Sequence, residues 1–306
     1  MPESDTRLLQ SVSLRDPATV WRVLADTVRD LDPGHDLARV RQVYEDVLRL
    51  FAGRYPGYRE CNTPYHDLNH TTDVVLAMAR LMHGAKVCGQ PLSRRGITLG
   101  LVSTFLHDTG YIQEETDTEG TGAKYAHEHV RRSVAFMDKY LTAQGWSEAD
   151  RATCRYIILR TELGPGKRAP EAPDPEADLL AKMLGTADLL GQMADRTYLE
   201  KLLFLFQEFR EGDVGGFDSE LDLLEHTLEF CGQAQARMEN ELGGVRRFMA
   251  AHYRATKGLE VDPYTMGIRH HVEYLRDIVQ NHRDDYREYL KREGLMDKLS
   301  DLYESG

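Results

Sequence analysis

The stretch from Ser93 to Asp108 places the strongest constraint on how this chain can fold. Apolar residues occupy nearly all sides of a helical wheel here, and the run ends in an adjacent histidine and aspartate, His107 and Asp108. A helix that is apolar nearly all round is buried in the middle of a protein. Charged side chains are rarely placed there unless they are paired or bind a metal. The stretch therefore predicts a central helix, ended by Gly110, that delivers two polar residues to the interior.

Helical periodicity also dominates the rest of the chain. Asp16 and Pro17 form a helix start signal, and apolar residues then recur at three- and four-residue spacing as far as Leu31. Further helices are predicted at about 37–51, 126–141, 147–163 and 177–193, and over most of 197–303. No periodic strand pattern is found. The predicted fold class is all-α, a compact bundle of many helices.

A pair of histidines, His66 and His70, lies at the start of another apolar helical pattern, in the segment Tyr65–Val74. Residues i and i+4 of a helix share a face, so both rings can point into one cavity if the helix begins early enough. One of them could then bind a metal while the other handles a proton. Together with His107 and Asp108, the pair predicts a metal site.

A solitary acid, Asp188, lies in the heavily apolar helix predicted at 177–193. A buried unpaired carboxylate is costly, so a cationic partner is expected. The segment 165–175, with four prolines, separates this helix from His107 and Asp108. If Asp188 shares a metal with those two residues, the segment must fold back, so it is interpreted as a surface loop inside one domain.

The composition of the chain excludes several classes of partner. Lys and Arg number 38 against 50 Asp and Glu, giving a formal net charge of −12, which disfavours a nucleic acid polymer. A small phosphorylated ligand is compatible with this net charge, because a bound divalent cation reverses the local electrostatic field. No apolar run approaches the ~20 residues that span a bilayer, so no membrane partner is expected. Scattered cysteines and the absence of a signal-peptide pattern make the cytoplasm the expected compartment.

A histidine helix, an adjacent His-Asp pair and an isolated Asp on a later buried helix, in this order, resemble the HD superfamily of metal-dependent phosphohydrolases. Within it, Tyr65–Val74 reads YHDLNHTTDV and resembles the YHNxxHxxDV signature of the class I cyclic nucleotide phosphodiesterases. The segment 158–163, ILRTEL, resembles their ILATDM segment. The resemblance covers roughly residues 40–200.

The resemblance implies a single HD-type domain over residues 1–306. Its metal-site core would be at about 40–200, and a helical part at about 197–306 would complete the pocket or form an oligomer contact, as in a homodimer. The implied function is a phosphodiesterase that hydrolyses a cyclic nucleotide or a related small phosphoester.

Residue by residue, the resemblance implies that His70, His107, Asp108 and Asp188 bind a first divalent ion. Zn, Fe or Mn suits this ligand set, and Asp108 would also bridge to a second, more hydrated Mg or Mn ion. A metal-activated hydroxide would attack the phosphorus. His66 matches the catalytic histidine of the family and would protonate the leaving alkoxide.

Three places depart from the family pattern. Asp67 stands where the family has Asn, and Tyr111 replaces a histidine that surrounds the second ion. The E-x-H-H helix of the family is matched loosely at Ala126–His129. Residues two apart do not share a helical face, so His129, rather than His127, is predicted to face the pocket.

Two further points stay open at the level of sequence. Candidates for substrate contact are Thr161, Glu162 and Lys124 and, for a nucleobase, Gln233, Gln235 and Gln280. Two alternative functions also stand beside the phosphodiesterase. One is an HD-type nucleotide phosphohydrolase or phosphomonoesterase, favoured if Tyr111 signals a different second site. The other is an inactive HD-fold sensor or interaction module.

Overall fold

A computed structural model describes residues 14–162 and 171–290 of the protein. Within these ranges the chain forms twelve α-helices and two short 3-10 helices, and it contains no β-strand, which confirms the all-α prediction. The helices are α1 (Pro17–Leu31), α2 (Ala38–Phe51), α3 (Leu68–Val87), α4 (Arg94–Leu106), α5 (His129–Ala143), α6 (Glu148–Leu159), α7 (Pro175–Met193), α8 (Tyr198–Glu211), α9 (Glu220–Asn240), α10 (Arg247–Lys257), α11 (Pro263–Asn281) and α12 (Tyr286–Tyr289). Most of the proline-rich segment, interpreted above as a surface loop, lies outside the described residues.

Side-chain caps in the sequence set the starts of several helices. Asp16 accepts a hydrogen bond from the backbone of Thr19 and is followed by the proline that opens α1. Ser93 caps α4 in the same way, and Asp174 caps α7 ahead of another proline. These side chains satisfy backbone N–H groups that the first turn of a helix leaves unpaired. The predicted starts at Asp16 and Ser93 are therefore confirmed, whereas α7 begins at Pro175, two residues before its predicted start.

Helix α3 occupies the centre of the molecule. All of its residues from His70 to Ala85 are buried, and it packs against α1, α4, α7 and α10. Its approach to α10 is especially close, since a Cβ built on Gly84 would overlap the carbonyl oxygen of Phe248. The predicted central helix α4 lies beside it and is buried from Gly96 to Leu106 except at Thr98. The first turn of α3 and the end of α4 thus both open into the interior.

The C-terminal helices share the core with the N-terminal ones, because α10 packs on α3 and α11 packs on α7. Their large apolar side chains are mostly buried, and in the described part of the chain the exposed large hydrophobic side chains are Val87 and Val261. Within the described ranges, none of the helices combines the length and apolar character that crossing a membrane requires. The division at about residue 200 and the homodimer stay predictions.

Candidate functional site

Four polar side chains meet where α3, α4 and α7 come together. His70 lies in the first turn of α3, His107 and Asp108 directly follow α4, and Asp188 lies within α7. The Nε2 atom of His70 is 3.2 Å from both Asp108 Oδ2 and Asp188 Oδ1. The Nε2 atom of His107 is 3.4 Å and 3.7 Å from the same two oxygens. The structure therefore brings the four predicted ligands together.

The two imidazole nitrogens at this point lack hydrogen-bond partners. Both His70 Nε2 and His107 Nε2 are buried without one among the described residues. Ligands bonded at about 2.0–2.2 Å to one tetrahedral or octahedral ion lie roughly 2.8–3.6 Å apart. Three of the nitrogen–oxygen distances here lie in this range, and the fourth, 3.7 Å between His107 and Asp188, is just outside it. One ligand atom from each of His70, His107 and Asp108 lies within 4.8 Å of the others. This group could hold a metal ion.

The tautomer of His107 suits a ligand role. Its Nδ1 lies 2.8 Å from the carbonyl oxygen of Thr104. A carbonyl only accepts hydrogen bonds, so Nδ1 is the donor and carries the proton. The lone pair of Nε2 is thereby directed at the carboxylates, where a cation would bind.

The local charges favour a cation at the same point. Burial lowers the pKa of His70, but Asp108 and Asp188 outweigh it and raise the pKa to about 10. Burial likewise raises the pKa of Asp108, but His107 and His70 outweigh it and hold that pKa well below its usual range. The carboxylates are therefore ionised and stabilise positive charge on the imidazole. A divalent ion can replace that proton, because both compete for the same lone pair.

His66 is held by a residue that was not predicted, Glu208 of α8. The Nδ1 atom of His66 lies 2.7 Å from Glu208 Oε2, and the backbone N–H of Tyr65 donates to Glu208 Oε1 at 2.7 Å. Glu208 is only 2% exposed. An acid inside the apolar run 202–209 was the available signal in the sequence.

His66 lies two residues before the first residue of α3. The helix begins at Leu68, and Asp67 is its N-cap, accepting a hydrogen bond from the backbone of His70 at 2.9 Å. The condition for a shared helical face, a helix that begins before His66, is therefore not met. The two rings are still close, with centroids 5.9 Å apart.

Asp67, where the family has Asn, has a cationic neighbour in this chain. Lys201 of α8 places its Nζ 3.7 Å from Asp67 Oδ1 and 2.9 Å from Asp195 Oδ2. Burial lowers the pKa of Lys201, but Asp67 and Asp195 outweigh it, so the pKa is raised and the ammonium stays charged. The extra charge of Asp67 is thus compensated next to the first turn of α3.

Tyr111 lies between two histidines. Its ring stacks on His66 at a centroid distance of 4.3 Å and on His129 at 4.5 Å. The Nε2 atom of His129 is 4.0 Å from Asp108 Oδ1. A Cβ on Gly110 would overlap the carbonyl oxygen of His129, so the glycine allows this close approach. Burial lowers the pKa of His129, which favours the neutral ring.

A cavity of about 320 Å³ adjoins these residues. Asp108 and Asp188 reach its wall together with His66, Tyr111 and His129. The opposite wall comes from α8, α9 and the connection between them, and it is mainly apolar. The sequence did not indicate this wall, because the apolar run in α8 reads equally well as ordinary core.

The other predicted contact residues divide into two sets. Thr161 and Glu162 line the cavity, and so does His127 beside His129. Helix α5 begins only at His129, so helical spacing does not apply to His127, and the prediction that it faces away is wrong. Lys124 lies outside the lining and pairs with Asp117 at 2.6 Å.

The glutamines proposed for base binding are also away from the cavity. Gln233, Gln235 and Gln280 are exposed on α9 and α11 and do not contribute to the lining. The glutamine that lines the cavity is instead Gln192 of α7. Among the described residues, the uncharged polar side chains that line the cavity are Gln192, Thr161, Thr227, three tyrosines and four histidines, and these could contact a base.

No protein-family model, no curated protein and no solved structure matches the chain. The function of the site therefore has to be inferred from its own chemistry.

Proposed function

We propose that this protein is a metal-dependent phosphohydrolase that cleaves a small phosphoester, most specifically a phosphodiesterase. The observation that carries the proposal is the convergence of His70, His107, Asp108 and Asp188, with two partnerless nitrogens, at the wall of a cavity that also contains His66. The resemblance to the HD superfamily supports it. A second, more hydrated ion beside Asp108 is part of the same proposal.

A divalent ion held by these four residues supplies a Lewis acid and a water of lowered pKa at neutral pH. Asp108 and Asp188 provide the negative charge that such an ion needs, and the Thr104 carbonyl keeps the Nε2 lone pair of His107 available. Neutral imidazoles and carboxylates suit Zn, Fe or Mn at this position.

His66 is the proton donor in this proposal. Glu208 accepts from Nδ1, which leaves the other ring nitrogen free to protonate the departing alkoxide. The stacked ring of Tyr111 restrains the imidazole plane. Glu208 and Tyr111 thus orient the ring of His66 without binding the metal. Glu208 acts here as the third member of a catalytic triad does, by orienting the histidine.

The expected setting is the cytoplasm. All four cysteines are free thiols, which suits a reducing compartment. No residue type at the four ligand positions is incompatible with a metal, so no observation favours the inactive sensor.

The test combines metal analysis with a substrate panel. Purified protein should retain close to one equivalent of transition metal, and with Mn²⁺ it should hydrolyse bis(p-nitrophenyl) phosphate or a cyclic mononucleotide. His107→Ala should lose metal and activity together, whereas the matched change His282→Ala, on a histidine of the α11 C-cap, should keep both. Wild-type protein with neither bound metal nor phosphoesterase activity would refute the proposal.

A further inference from the structure

We propose that the substrate carries a single phosphoryl group and an uncharged, apolar organic group, which binds against the wall formed by α8 and α9. This inference rests on the proposed phosphohydrolase function and narrows the class of substrate. It favours a mono- or diester with an alkyl or aryl arm over a nucleoside di- or triphosphate.

The apolar wall lines the same cavity as Asp108 and Asp188. Its apolar side chains include Leu202, Leu205, Phe209, Phe217, Leu223 and Phe230. Phe209 and Phe217 stack with their ring centroids 5.7 Å apart, so the two rings pack together in this wall. A phosphoryl group beside Asp108 and Asp188 would therefore direct its organic arm onto hydrocarbon.

Charge in the cavity argues against a polyphosphate. No Lys or Arg lines it within the described ranges, whereas Asp108, Asp188 and Glu162 do. The buried Lys201 nearby is already paired with Asp67 and Asp195. One phosphoryl group can be neutralised by a metal beside Asp108 and Asp188, but further phosphates would lie against the apolar wall, where no lysine or arginine of the described residues supplies a counter-charge.

The size of the cavity limits the organic arm. About 320 Å³ is near the lower end of ligand pockets, which run from about 300 to 1,000 Å³. A phenyl ring or a short alkyl chain fits this space together with one phosphoryl group. Burying it would be favourable in proportion to the hydrocarbon area removed from water.

Phosphonates test the inference without any chemical step. Methylphosphonate, butylphosphonate, phenylphosphonate and 3-phosphonopropanoate would be titrated calorimetrically into the full-length, Mn²⁺-loaded protein. Butyl- and phenylphosphonate should bind at least about tenfold more tightly than methylphosphonate, since each buried methylene contributes about fourfold. 3-Phosphonopropanoate carries a charged arm and should not show this gain in affinity over methylphosphonate.

A matched pair of variants tests whether the apolar wall causes the preference for the longer alkyl arm. Phe209→Ala should reduce the preference for butyl- over methylphosphonate, and Phe206→Ala, on the same helix but outside the lining, should retain it. The preference is a ratio within one protein, so a general loss of stability does not mimic the result.

The outcomes separate the two proposals. Equal affinity for methyl-, butyl- and phenylphosphonate, or tighter binding of the charged arm, would overturn the apolar-arm inference and leave the phosphohydrolase function standing. A lack of Mn²⁺-dependent binding by every phosphonate would contradict the function itself and the inference with it.

Discussion

Glu208 and His66 form the pair on which proton transfer depends in the proposed mechanism. The two oxygens of Glu208 each accept one hydrogen bond, from the backbone of Tyr65 and from the ring of His66. A glutamine offers a single acceptor oxygen, so its NH₂ group would face one of these donors. Glu208→Gln therefore removes the carboxylate charge and leaves one of the two donors without its acceptor.

Glu208→Gln should retain the metal and lose general acid catalysis. We expect hydrolysis of an ester with an alkoxide leaving group to slow by about 10²-fold. Hydrolysis of a p-nitrophenyl ester should be largely retained, because its leaving group departs without a proton. The measurement is kcat on both esters, and Glu211→Gln, on the same helix, is the control. An equal loss on both esters would rule out the proton-transfer role.

A second buried pair, outside the cavity, makes stability depend on pH. The Nδ1 atoms of His83 in α3 and His252 in α10 lie 3.1 Å apart. Burial, with Arg80 and His83, lowers the pKa of His252 to about 3. Its pKa in the unfolded chain is about 6.5, so the unfolded state takes up the proton first. This contribution to stability is complete above about pH 6.5 and is lost as the pH falls toward 3.

Between pH 7.5 and 5.5, wild-type protein should therefore lose about 1.4 kcal/mol more unfolding free energy than His252→Asn. Urea denaturation at the two pH values measures both proteins. Parallel losses in the two would show that His252 takes up its proton in the folded state as readily as in the unfolded chain.

At the scale of helices, the sequence predicted the helix starts that are determined by interactions within one turn. Asp16, Ser93 and Ser147 were recognisable starts because capping depends on neighbours within a turn. The start of α3 was harder, since Asp67 serves as its cap and leaves His66 outside. A family signature records which residues occur, whereas the direction of a side chain depends on where the helix begins.

Close packing of helices was beyond the sequence altogether. Gly84 lies inside α3, where a glycine lowers helix stability by about 1 kcal/mol relative to alanine. The structure explains its presence, because α10 brings the carbonyl of Phe248 to the position of a Cβ. Gly232 in α9 has open space at the same position. Both glycines look alike in the sequence.

Substituting each glycine separately by alanine distinguishes the effect of helix propensity from the effect of helix packing. Gly84→Ala should destabilise the protein by about 1–3 kcal/mol, because overlap with α10 outweighs the gain in helix propensity. Gly232→Ala should stabilise it by up to about 1 kcal/mol. Chemical denaturation gives both values. Stabilisation by both substitutions would mean that α3 and α10 are not in close contact.

At the scale of the whole molecule, the site joins segments that are distant in sequence. His70 and Asp188 lie in α3 and α7, and His107 directly follows α4. The interpretation of the proline-rich segment as a loop within one domain stays a prediction. The four polar side chains were recognisable because polar groups in or next to apolar helices need a partner. Glu208 and the apolar wall were not, because their role exists only after α8 and α9 pack across the cavity.

A metal ion bound by three helices should stabilise the folded chain as a whole. An ion that binds only the folded state adds RT ln(1 + [M]/Kd), about 2.7 kcal/mol at a hundred times Kd. For a chain of this size we expect Tm to rise by roughly 4 °C on adding Mn²⁺ or Zn²⁺ to chelator-treated protein. His107→Ala should lose the shift, and His282→Ala should keep it. A shift that survives in His107→Ala would place the stabilising ion elsewhere on the protein, and differential scanning calorimetry distinguishes the two results.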